Sequence, residues 1–195
     1  GRGVTGMGTK EEDYVENMII TSTHNTILFF TNKGLVYQLK GYEIPESGRT
    51  AKGTAIVNLL PLAKEETITA IIPIKEFSKD RYLFMATRHG IVKKTGLSEF
   101  DTNRKKTGLI ALSLKENDEL INADISKEEV LFVTSNGLCL RFNTNEIPIV
   151  GSKASGVKGI NLKDDYCIYA SPIKNEEYLN IYTNNKTLKD FTLKL

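Results

Sequence analysis

Residues 27–40 read ILFFTNKGLVYQLK: an apolar run rich in β-branched and aromatic side chains meets a polar TNKG corner, and a second run leaves it with alternating character. That pattern predicts a β-hairpin in which Gly34 supplies a positive φ. The same pattern returns as FMATRHGIVKK at 84–94, LFVTSNGLCLR at 131–141 and, in worn form, LNIYTNNKTLKD at 179–190. Aligned on Thr31, Thr87, Thr134 and Thr183, the copies lie 56, 47 and 49 residues apart, a period that signals a repeat architecture.

Whole units repeat, not only the turn. A second shared element begins as KGTAIVNL at Lys52, TGLIALSL at Thr107 and SGVKGINL at Ser155; its glycines, Gly53, Gly108 and Gly156, follow the hairpin glycines by 19, 18 and 19 residues. A third strand-like run follows in each unit, TITAIIPI from Thr67, ELINADI from Glu119 and YCIYASPI from Tyr166, and NMIITS at 17–22 reads as a strand before the first hairpin. Helical periodicity is absent, and the five prolines fall near run ends, where a missing ladder donor is tolerated. Units of about four short strands cannot bury both sheet faces alone, whereas radial stacking buries them and leaves short edges. The expected fold is an all-β, propeller-like β-pinwheel of four-stranded blades, with about three complete blades and a degenerate fourth. One domain over 1–195 holds repeat units at approximately 17–75, 80–126, 128–174 and 176–195.

Composition fits that picture, since 195 residues with 40% hydrophobic content can build a core. No apolar run approaches the roughly 18 residues a membrane span needs, and no secretory leader opens the sequence, so a soluble cytoplasmic protein is expected. Cys139 and Cys167 each lie in an apolar run, which predicts buried free thiols.

The net charge of +2 is uninformative, but its distribution is not. Residues 86–111 hold six basic and two acidic side chains, and residues 112–130 hold two lysines and six acids, so charge alternates in step with the repeat.

Catalytic chemistry finds no foothold. A GxGxxG match at Gly1, Gly3 and Gly6 has no preceding strand and no following helix to aim amides at a phosphate. His24 and His89 have no cysteine or carboxylate at ligand spacing, GxSxG and HExxH are missing, and GRTAKGT at 48–54 lacks the lysine of a phosphate-binding loop. Neither a cofactor nor a metal is expected, and the chain reads as a binder.

Each unit places a basic connection, poor in bulky apolar residues, between its hairpin and its second element. These are PESGRTAKG with Arg49 and Lys52, DTNRKKTG with Arg104, Lys105 and Lys106, and VGSKASGVKG with Lys153 and Lys158. Small residues let backbone approach a phosphate and the cations neutralise it, so successive units would lay phosphate clamps along an edge, with little base specificity. A propeller that binds polypeptide through its repeat faces is the competing class.

The strings GRGVTGMGTKEEDYVE, LFFTNKGLVYQLKGYEIPE, SGRTAKGTAIVNLLPL and RYLFMATRHGIVKKTGLSEF resemble the C-terminal, DNA-wrapping β-pinwheel domains of the bacterial gyrase A subunit, nearly gap-free to about residue 114 and at repeat level to about 162. The resemblance implies strands exchanged between neighbouring blades and a basic rim that bends duplex DNA for a type IIA topoisomerase. The domain itself would be non-catalytic, and its protein partners would be the remainder of gyrase A together with the gyrase B subunit. It implies DNA contacts at Arg49, Lys52, Arg104, Lys105, Lys106, Lys153 and Lys158, and at Arg2 in the end of the family's QRRGGRG box, of which Gly1, Arg2 and Gly3 are present. Lys33, Arg88, Lys93, Lys94 and Arg141, on the hairpins, form a second rank. The topoisomerase IV counterpart, whose box is degenerate, is the near alternative. In the fourth unit Lys186 replaces the hairpin glycine, and Asp190 stands where Lys94 and Arg141 stand earlier.

Overall fold

The computed structural model describes residues 25–44, 58–103 and 107–174, and the backbone strands at 178–182 and 188–192. Among the described residues the only helical turns are short 3-10 segments such as Gly41–Glu43 and Leu97–Phe100. The strands are β1 (Thr26–Thr31), β2 (Leu35–Lys40), β3 (Ile68–Ile74), β4 (Tyr82–Thr87), β5 (Ile91–Gly96), β6 (Leu109–Ile110), β7 (Leu120–Ile125), β8 (Glu129–Thr134), β9 (Cys139–Asn143), β10 (Val157–Lys158), β11 (Cys167–Ile173), β12 (Tyr178–Tyr182) and β13 (Leu188–Thr192).

Each hairpin forms where its sequence requires. Gly34, Gly90 and Gly137 adopt φ of 73°, 81° and 85°, and each donates its N–H to the carbonyl of the turn threonine at 3.0 Å. The threonine hydroxyl adds a second tie, accepting from Ile91 N at Thr87 and from Leu138 N at Thr134, both at 3.1 Å. Thr31, Thr87 and Thr134 also mark a register shift against the third strand of their units, so the recurring corner is a turn and a bulge together.

The sheets run β3-β1-β2-β6, β10-β5-β4-β7 and β11-β8-β9, with β12-β13 as a separate pair. Strand exchange is visible in that order: β6 belongs to the second unit and completes the first blade, while β10 belongs to the third and completes the second. The clasp is tight. Gly34 O accepts from Ala111 N (2.8 Å) and Leu112 N (3.2 Å), and Gly90 O accepts from Gly159 N (2.8 Å). Strand β9 receives no such strand among the described residues. Leu138 and Leu140 are 62% and 37% exposed, and Cys139 is exposed, contrary to the buried thiol expected from its apolar run, whereas the equivalent Val36 and Val92 are buried in the cores between blades. Cys167 is buried and free, with burial pushing its thiol up to about 11.

Stacking explains why the central strands are apolar on consecutive residues. Side chains alternate faces along a strand, and both faces here meet a core. Leu28 and Phe30 pack with Leu83 and Met85 between the first and second blades; Phe84 and Ala86, one residue out of phase, pack with Val130 and Phe132 between the second and third. Ile27 and Phe29 fill a further core with Tyr37, Leu39 and Leu60. Pro73 and Pro172 lie in β3 and β11, which are edge strands of their sheets.

Candidate nucleic-acid interface

Of the three basic connections, the one whose cations the structure describes is the third unit's, and it is anchored on the second blade. Residues 148–150 run beside β5: Lys94 N donates to Pro148 O (3.0 Å), Val150 N to Lys94 O (2.9 Å) and Thr95 Oγ1 to Val150 O (3.0 Å). The chain then turns at 151–154, closed by Ala154 N on Gly151 O at 3.0 Å. It returns as β10, with Val157 opposite Val92 and Lys158 opposite Ile91. Gly156, at φ 96°, is required there, since a Cβ would lie 2.4 Å from Val92 O. Lys153 and Lys158 are both exposed on this anchored segment.

The turn is held from three sides. Lys93 Nζ donates to Gly151 O (3.0 Å), Ser152 O (2.8 Å) and Ala154 O (3.0 Å). Glu99 Oε2 accepts from Ser152 N (2.8 Å), and Ser113 Oγ donates to Lys153 O (2.7 Å). Lys93 is fully buried, which lowers its pKa to about 8 against the opposing pull of the Glu99 carboxylate; Lys94, 8% exposed, is lowered as well by burial. These two lysines therefore face inward and are withdrawn from the DNA-facing set that the sequence suggested. The first blade uses the same two positions differently. Tyr37 stands against Gly108, where a Cβ would lie 2.8 Å from its ring, and Gln38 Nε2 donates to Phe100 O at 2.5 Å.

The remaining second-rank cations divide. Lys33 is exposed at its turn. Arg88 is exposed with its guanidinium 4.3 Å from the centre of the Tyr166 ring. Arg141 is half-buried and ion-paired with Glu129, which leaves it a poor phosphate ligand. Arg2, Arg49, Lys52, Arg104, Lys105 and Lys106 lie outside the described residues.

Carboxylates next to the hairpins are structural. Asp118 Oδ1 accepts from His89 N (3.0 Å), which gives His89 a carboxylate neighbour that its sequence surroundings did not show. At the equivalent place in the third unit, Asp165 Oδ1 accepts from Ser135 Oγ (2.5 Å), Asn136 N (3.2 Å) and Tyr166 N (2.8 Å). Desolvation works against its charge, yet these hydrogen bonds hold its pKa down to about 2. In the first unit Glu66 accepts from Thr31 Oγ1 (3.2 Å) and Tyr37 Oη (2.7 Å); burial, with that bond, pushes the phenol up to about 12. No group of three or more His, Cys, Asp or Glu side chains among the described residues could hold a metal ion, and no described helix is long and apolar enough to cross a membrane.

The sequence missed Glu99 and Ser113, which position the connection without carrying a motif. A signal did exist in the regular offset of Gly108 and Gly156, which marks where each connection presses on the preceding blade.

Comparison with known proteins agrees with this architecture. Residues 1–22, 25–75, 81–127 and 128–174 match the family described as DNA gyrase C-terminal domain, beta-propeller. The A subunit of DNA gyrase from Halalkalibacterium halodurans is 51% identical over 163 residues, covering 83% of this chain and 19% of the relative. That of Clostridium acetobutylicum is 52% identical over 161 residues, covering 82% and 19%. The chain therefore spans about a fifth of the length of these relatives. Among solved structures, a C-terminal domain of DNA topoisomerase IV superposes with a TM-score of 0.81 at 34% identity, covering 88% of this chain and 54% of that one. A DNA gyrase A C-terminal domain gives 0.69 at 26% identity, covering 89% and 56%. The repeated blades, their exchanged strands and a match that runs through three units establish that this chain belongs to the DNA gyrase C-terminal domain family of β-propellers.

Proposed function

We propose that this chain is the non-catalytic DNA-binding and DNA-bending domain of a bacterial gyrase A subunit. In the cytoplasm, on nucleoid DNA, it would present a duplex segment to the remainder of gyrase A and to the gyrase B subunit for ATP-dependent strand passage and negative supercoiling. One observation carries the reading for this chain's own residues: Lys153 and Lys158 stand exposed on a connection clamped to the preceding blade. The same repeat position carries Arg49 and Lys52 in the first unit and Arg104, Lys105 and Lys106 in the second. A row of fixed cations with small neighbours suits phosphates, and no described helix is available to read bases in a groove.

Duplex affinity should fall steeply with salt. Reversing Lys153 and Lys158 together (Lys153→Glu, Lys158→Glu) should flatten the plot of log affinity against log salt by about 2 units, roughly 0.9 for each phosphate no longer neutralised. An unchanged slope would remove this connection from the interface. Energy transfer between labels at the two duplex ends should rise on saturation; a straight duplex at saturation would leave binding without bending.

A second reading, the topoisomerase IV counterpart, is favoured by the higher TM-score to that enzyme's C-terminal domain. The gyrase names on relatives of 51% and 52% identity weigh more. A gyrase A protein carrying this domain should introduce negative supercoils into relaxed DNA when paired with its gyrase B subunit, whereas relaxation or decatenation alone would favour the second reading.

A further inference from the structure

We propose that Lys93 is the positioning residue of the third unit's DNA-facing connection: its buried ammonium gathers three carbonyls of the 151–154 turn and so holds Lys153 in place on the rim. This rests on the reading above, in which Lys153 and Lys158 meet phosphate.

The geometry matches donor to acceptor. An ammonium carries three N–H bonds and no acceptor, and the three carbonyls around Nζ are those of Gly151, Ser152 and Ala154, at 2.8–3.0 Å. Ser113 supplies the donor for the one carbonyl Lys93 leaves, that of Lys153, and Glu99 takes the outstanding N–H of Ser152. Every carbonyl of the turn is thereby satisfied from the second unit, while the Lys153 side chain remains exposed.

Stability alone does not account for a lysine here. Taking an ammonium out of water is costly, and a hydrophobic side chain of similar volume is often neutral or better in such a place. Position three after the hairpin glycine is indeed Tyr37 in the first unit and Leu140 in the third. The cost is tied to the turn: three carbonyl dipoles converge, and without a cation they repel, leaving Gly151 O and Ala154 O with one backbone donor each (Ala154 N and Ser113 N) and taking from Ser152 O its Lys93 donor. A turn held this way loses less conformational freedom when Lys153 engages a phosphate.

The charge also gives a signature that packing lacks. The folded value near 8 lies below the ordinary lysine value of 10.5. Between those limits the unfolded chain binds more protons, so global stability rises with pH through this window. Over the same window the folded ammonium becomes an amine with two donors for three carbonyls, and the turn loosens. Affinity and stability therefore move in opposite directions. Among the described residues the charged group that acts on Lys93 is Glu99 on the 3-10 turn, with Lys94 beside it in β5 and the exposed Lys153 on the connection; all three are retained in Lys93→Met, so the comparison isolates Lys93.

The test measures binding of the full chain to a random-sequence duplex at fixed salt, for wild type, Lys93→Met, Lys153→Ala, their double variant, and Lys153→Ala with Lys158→Ala. Lys93→Met should weaken binding several-fold, on the order of the loss of one phosphate contact, and the double variant should be no worse than the stronger single, because both remove the same contact. Wild type should lose affinity from pH 7 to pH 9 while its urea midpoint rises, and Lys93→Met should show neither trend. If Lys153→Ala weakens binding and Lys93→Met does not, the positioning role is overturned and the DNA reading survives. If Lys153→Ala with Lys158→Ala binds as wild type, the DNA reading of this connection falls and the inference with it. Should Lys93→Met fail to fold, Lys93→Gln takes its place in the comparison, and a Lys93→Gln chain that binds the duplex as tightly as wild type overturns the proposal.

Discussion

Gly34→Ala should cost the fold about 3 kcal/mol or more, and Gly137→Ala only about 1–2, although the two glycines occupy the same place in their hairpins. Both sit at positive φ, 73° and 85°, so both variants bear the penalty of a left-handed backbone. They differ in what a methyl group meets. At Gly34 a Cβ would lie 2.4 Å from Leu112 O and 3.3 Å from Leu114 Cγ, so the clasping segment of the second unit must move. That segment also hydrogen-bonds Gly34 O through Ala111 N and Leu112 N, so moving it opens the joint between the first two blades. At Gly137 nothing lies within 4 Å of the added atom. Gly90→Ala should resemble Gly34→Ala, since Ile160 Cγ2 would be 2.6 Å away. Urea unfolding followed by circular dichroism checks the series, the chain having no tryptophan to report by fluorescence. Equal costs at Gly34 and Gly137 would show that the backbone conformation alone sets the penalty and that the clasp contributes nothing.

Much of the fold was legible because its signals are local. A turn threonine followed three residues later by glycine specifies a hairpin without reference to any distant group, and the 18- and 19-residue offsets announced a second repeated element. What was not legible depends on which unit covers which. Cys139 lies in an apolar run like its counterparts, yet it is exposed, whereas Val36 and Val92 at the same place are buried in cores that the next unit completes. Lys93 looked like a rail cation beside Arg88. Its partners are carbonyls 58 to 61 residues further on, delivered by strand exchange, and no local pattern specifies them. Lys153 and Lys158 stayed exposed as expected, because a short polar connection with glycines at both ends has little apolar surface to bury.

The division of cores between blades makes the second large effect a local one. Phe132→Ala should destabilise the protein by about 3–5 kcal/mol, as expected for emptying a fully buried aromatic site. Phe132 is 0% exposed and lies between blades, edge-on to Phe84 (centroids 6.3 Å apart, planes at 82°) and stacked on Phe142 (5.5 Å, 10°). The cavity would open in the core shared by the second and third blades, whereas Leu28, Phe30, Leu83 and Met85 belong to the neighbouring core. In an array stabilised by nearest-neighbour interfaces, the lost energy should appear where it was stored. Native-state hydrogen exchange should therefore show β8 and β11 opening far more readily in Phe132→Ala, with β1 and its partners β2 and β3 little changed. Duplex binding should fall less than stability does, because Lys93, Glu99 and Ser113, which hold the 151–154 turn, all come from the second unit. A uniform loss of protection across β1, β4 and β8 would mean that the blades unfold as one cooperative body, and the turn on the rim would then share the fate of every core in the chain.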